Sequence, residues 1–140
     1  MKYKLKHILA ILGLTFSLAT FLLFLFWWAY PYRTIEYFAP ATVINKTVKA
    51  GSLVHYQIDY CKYIKQSEVV DRQFVDGIIY AVPTVKPYLP KGCAVKIQTL
   101  VVPENLPPSV YRLKIYVTYQ VNPIRWITHE FMTDDFLVIE

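Results

Sequence analysis

The chain has 140 residues, 55 % hydrophobic, 18 % charged and 16 % aromatic, with twelve tyrosines. That length accommodates one membrane anchor and one ordinary domain but not two full domains, and the composition is too apolar for a disordered chain. The net charge of +5 owes most to Lys2, Lys4 and Lys6; the remaining basic residues are interleaved with acids and lack the clustered stripe that phosphates require, which argues against nucleic acid as a partner.

In chain order, residues 1–7 form a basic flank. Residues 8–30 carry no charged side chain, and a helix over them rises roughly 34 Å, enough to cross a hydrocarbon core of about 30 Å. The lysines ahead of this run predict a single-pass protein with its amino terminus in the cytoplasm and its carboxyl end extracytoplasmic, periplasmic or extracellular. Trp27, Trp28, Tyr30 and Tyr32 fall where an aromatic belt meets the outer interface, so the lipid bilayer is the first expected partner. The rival reading is a cleavable signal peptide. Its one suitably spaced pair of small residues, Ser17 and Ala19, would leave a mature chain beginning TFLLFLFWWAY, so an uncleaved anchor is expected. Gly13 and Ser17 also have the small-xxx-small spacing that lets membrane helices approach, a pointer to a homodimer set against the plainer reading of a lone anchor.

Residues 31–40, PYRTIEYFAP, read as a short linker that becomes the first strand over 34–44, and the domain is expected to occupy 34–140. In SLVHYQIDYCKY, Val54, Tyr56, Ile58 and Tyr60 alternate with His55, Gln57 and Asp59, the pattern of a half-buried strand. Asp76 and Gly77 sit between apolar runs and predict a hairpin, with a bulge in one longer strand as the alternative. Further on, CAVKIQTLVVP places Val95, Ile97, Thr99 and Val101 on one face. In YRLKIYVTYQV, Tyr111, Leu113, Ile115, Val117, Tyr119 and Val121 share a face opposite Arg112, Lys114, Tyr116, Thr118 and Gln120. The tail RWITHEFMTDDFLVIE predicts a last strand interrupted near 133–135. The count is about seven strands, an all-β antiparallel sandwich behind one helix, with Pro83, Pro87, Pro90, Pro103, Pro107, Pro108 and Pro123 at strand ends.

The run VVPENLPPSVYRLKIYVTY, with Leu106, Pro108 and Tyr111 leading into an alternating strand, resembles the approach to the sixth strand of immunoglobulin-like and fibronectin type III domains. The resemblance implies a tyrosine corner at Tyr111, and it places AGSLVHYQIDY at a second strand and FLVIE at a closing one. The chain departs from the antibody pattern in lacking a tryptophan on the third strand. Short proteins with a basic flank, one anchor and one such domain are familiar among bacterial and bacteriophage reading frames.

Cys61 and Cys93 are the two cysteines. In a translocated domain such a pair reads as a disulfide, and in a cytoplasmic one as two reduced thiols. Cys61 is out of phase with the apolar face of its strand, so the bridge is expected to tie a strand end or outer face to the loop around LPKGC without crossing the core.

Chemistry is poorly served. A copper site would need cysteine, histidine and methionine in one loop, but Cys93 is far in sequence from His129 and Met132, which point to opposite faces of a strand, with His55 elsewhere. Ser52, Ser67 and Ser109 lack the context of a nucleophile elbow, and Asp134 and Asp135 suit a turn better than a carboxylate pair. No calcium loop is present. No enzyme activity, metal or cofactor is therefore expected. What remains is surface, with Tyr116, Tyr63, Tyr88 and Trp126 as candidate aromatic anchors. The expected role is a non-enzymatic interaction module, a structural or accessory subunit docked to another membrane, envelope or virion protein. The alternatives are a surface binding protein for a small ligand or metal, and a phage-encoded envelope protein interfering with infection or lysis.

Overall fold

With no proline before Pro31 to interrupt it, the amino-terminal segment forms one helix, α1 (Lys2–Ala29), in the computed structural model, which describes residues 2–87 and 89–140. The helix starts inside the basic flank, because lysine is a good helix former, and Lys4 and Lys6 are exposed. Its segment Lys6–Ala29 is long and apolar enough to cross a membrane. The chain divides into two compact units. The first holds the helix through Tyr32 together with the turn Asn122–Arg125; the second comprises Arg33–Val121 and Trp126–Glu140.

The second unit is a sandwich of two sheets. In one sheet, β1 (Ile35–Tyr37) and β2 (Thr42–Val43) pair in succession with β4 (Leu53–Lys62), which pairs on its other side with β7 (Gly92–Val101). In the other, β3 (Thr47–Lys49) runs parallel to β10 (Phe136–Ile139), followed by β8 (Ser109–Asn122), β5 (Glu68–Val75) and β6 (Ile79–Val85), while β9 (Arg125–Met132) also pairs with β8. There are thus ten strands among the described residues where about seven were expected. The first expected strand divides into β1 and β2 around Pro40, with β3 passing to the opposite sheet, and the last divides into β9 and β10 around 133–135. Asp134 holds that second break in place: its Oδ1 accepts the Val43 N–H at 2.7 Å, and its other oxygen pairs with Lys46. Asp135 pairs with Arg112, whose hydrogen bonds hold its carboxyl below the usual range.

The alternating residues of β4 and β8 meet in the core, where Tyr56, Tyr60, Tyr111, Leu113, Ile115 and Tyr119 are each 3 % exposed or less. Each large apolar side chain buried in this way stabilises the fold by about 1.5–3 kcal/mol. The Tyr111 hydroxyl donates to the Pro107 carbonyl at 2.9 Å, and burial, the largest cause, pushes it up to about 12. With β4 and β7 in one sheet and β5, β8 and β10 in the other, the strand order is that of an immunoglobulin-like sandwich. Gly77, with φ 112°, makes the turn between β5 and β6. Pro83 does not end a strand as expected but lies within β6. It is tolerated there because β6 is an edge strand whose register against β5 slips between Val70 and Arg72.

Candidate functional site

Cys61 and Cys93 are joined by a disulfide. They stand directly opposite each other on β4 and β7, so Cys93 belongs to a strand and not to the loop expected to carry it. The pairing also sets the parity of β7. Val95, Ile97 and Val101 share the face of Cys93 and point outward, 60 %, 58 % and 56 % exposed, while Lys96 and Gln98 turn toward the interior. The apolar face of β7 is therefore its outer one. Among the described residues β7 has no strand on its far edge, and β6 is likewise the last strand of the other sheet.

Behind these edges lie two buried cations. Lys62, at the end of β4, has a fully buried side chain and donates to Glu68 Oε2 at 2.5 Å and to the Leu89 carbonyl at 2.9 Å. The other Glu68 oxygen accepts the Leu89 N–H at 2.7 Å, and the ammonium lies 5.5 Å from the centre of the Tyr119 ring. This closed network ties the connection between β6 and β7 to β4 and β5.

Arg72, on the inward face of β5, is 8 % exposed. It makes no ion pair among the described residues, and no acceptor there reaches its Nε. The Tyr56 hydroxyl lies beside the guanidinium; burial raises that hydroxyl's pKa and Arg72 partly opposes the rise. Both side chains, with Tyr37 and Gln98, line a cavity of about 110 Å³ between the sheets, whose other walls include Ile115, Val117 and Phe131. The Tyr37 hydroxyl is also buried without an acceptor, and burial raises its pKa, so it is a protonated donor at neutral pH. Arg72 separates this cavity from an outer groove of about 450 Å³ bordered by Val82 and Pro83 of β6 and Thr99 and Val101 of β7.

The first unit accounts for the interface aromatics. Phe26 packs on Tyr30 and Tyr30 on Tyr32, with ring centres 5.1 and 4.8 Å apart, and Trp27 packs edge-on to Phe24 at 6.0 Å. Two of the last helical carbonyls, which have no partner within a helix, are bonded from the turn, Asn122 donating to Trp27 O at 2.9 Å and Arg125 to Trp28 O at 2.7 Å, and Arg125 also donates to Tyr30 O, just past the helix, at 2.7 Å. A cation at this end also complements the helix dipole. Sequence reasoning missed both residues, and only the turn signal at Pro123 marked their place.

Of the other candidate anchors, Tyr63 donates to Glu36 at 2.9 Å and stacks under Arg33, and Tyr116 lies beneath the Lys114 ammonium. Trp126 is 56 % exposed; Tyr88 lies outside the described residues. His129 shares a 2.5 Å hydrogen bond with Thr34, and burial lowers its pKa. Among the described residues no three of His, Cys, Asp and Glu gather as metal ligands.

No known family profile matches the chain, and no curated protein matches it. Solved structures similar to it include a β-glucosidase from Erythrobacter marinus at 9 % identity, covering 72 % of this chain and 15 % of that one, with a TM-score of 0.39. A CARDB domain from Pyrococcus furiosus, in complex with di-metal ions, is 18 % identical over 78 % of this chain and 95 % of its own, with a TM-score of 0.36. A β-glucosidase from Listeria innocua is 11 % identical, with 73 % and 16 % covered and a TM-score of 0.33. The chain thus spans about a sixth of either glucosidase, and its architecture is read from its own strand order.

Proposed function

We propose that the chain is a membrane-anchored, non-enzymatic interaction module, with its amino terminus in the cytoplasm and its sandwich on the far side of the bilayer. In the finer form of this reading it is a structural or accessory subunit of an envelope or virion assembly. The observation that carries it is the outer face of β7, where Val95, Ile97 and Val101 are exposed beside Leu53 at 47 % on a strand with one open edge. A solvated outer strand ordinarily alternates polar residues there, and an exposed apolar edge strand is the feature that partner strands and apolar protein faces recognise. The lysines before the helix support the orientation.

The test is a photo-crosslinking side chain placed at Ile97 and, separately, at the exposed polar position Gln120 of β8 in the other sheet, in cells or particles carrying the full chain. The reading predicts one abundant adduct from Ile97, much weaker from Gln120, and its loss with Val95→Lys. Equal labelling from both positions would overturn it.

A further inference from the structure

We infer that the cavity between the sheets is a binding site for a short-chain monocarboxylate, its charged end on the Arg72 guanidinium and its tail among Ile115, Val117 and Phe131. The first ground is the guanidinium itself. A buried cation costs several kcal/mol unless it is paired, and this fold supplies a carboxylate to its other buried cation, Lys62, from Glu68. It supplies none to Arg72 among the described residues, and Arg72 Nε faces no protein acceptor. Glu68, the acid on the same buried face of β5, is engaged on both oxygens by Lys62 and the Leu89 N–H.

The lining then selects the ligand. A guanidinium presents a planar fork of donors that matches a carboxylate, and the Tyr37 hydroxyl adds a donor without a partner. Most of the remaining wall is aliphatic or aromatic. A single negative charge with a short apolar tail satisfies both parts, whereas a phosphate would leave oxygens against hydrocarbon. The volume of about 110 Å³ equals about four waters at ~30 Å³ each, the size of acetate to butyrate. The outer groove between β6 and β7 reaches Arg72 from solvent and offers the way in.

The test uses the full chain, isotopically labelled in arginine and held in detergent micelles, titrated with acetate, butyrate, octanoate and, at matched ionic strength, chloride. The expected result is a saturable shift of the Arg72 Nε–H resonance with butyrate. It should be tighter than with acetate, absent with octanoate and chloride, and accompanied by a rise in the thermal midpoint. Arg72→Met should weaken butyrate binding about tenfold or more, while Arg112→Met, on the surface, should leave it unchanged. If Arg72→Met does not fold, the wild-type titration decides alone. The same response to chloride as to butyrate, or no saturable shift with any carboxylate, would overturn the inference.

Discussion

Lys62 and Arg72 are long cations buried in the same sandwich, one on the inward face of each sheet, yet the fold treats them in opposite ways. Around Lys62 the charges are matched, although the Tyr60 and Tyr119 hydroxyls near Glu68 have no partner among the described residues: the ammonium meets Glu68 and a carbonyl, and the carboxylate meets the ammonium and an N–H. Around Arg72 there is a phenol, a cavity and no carboxylate among the described residues. A matched network fixes geometry and leaves nothing for a ligand, whereas an unmatched charge beside open volume has a binding capacity that the protein itself does not use. The contrast separates a structural device from a candidate site without reference to any relative.

The largest effect should come from breaking the matched network. Glu68→Leu leaves the Lys62 ammonium buried without its carboxylate and the Leu89 N–H without its acceptor, and should cost about 3–5 kcal/mol in urea unfolding of the full chain in micelles. Next comes the disulfide, which closes a 32-residue separation beside Lys62. Its removal by Cys61→Ser with Cys93→Ser should cost about 3–4 kcal/mol in the chain-entropy view, measured as the difference in urea midpoint against the oxidised protein. If the pair can be removed without loss, the strand register and not the bond sets the parity of β7.

A smaller effect is expected from His129. Burial lowers its pKa below the ordinary 6.5, so the unfolded chain takes up the proton first and stability falls as pH drops through 6.5 toward the folded value. The contribution is complete above 6.5. His129→Gln should flatten this part of the stability profile between pH 7.5 and 5.5, whereas an unchanged slope would assign it to other groups.

Much of the fold was legible because alternation is a local signal. The buried faces of β4 and β8 match the periods read from Val54 to Tyr60 and from Tyr111 to Val121, and the interruption at 133–135 was visible in two adjacent aspartates. The site was far less legible. Arg72 lies in a strand whose alternation reads Glu68, Val70, Arg72, Phe74 on the buried face, and two charges on such a face weaken the very signal that marks burial. Nothing local distinguishes a lysine that will meet a glutamate six residues away from an arginine that will not. The outward turn of Val95, Ile97 and Val101 was hidden for a related reason, since an apolar face predicts burial and only the register opposite Cys61 reverses it.

The smallest expected effect is also the most direct test of the contrast. Arg72→Met keeps the bulk of the side chain and removes a buried charge, so the full chain without added carboxylate should unfold within about 1 kcal/mol of the wild type, or above it. A loss as large as that of Glu68→Leu would contradict the account, because the guanidinium would then be as firmly matched within the fold as the Lys62 ammonium is.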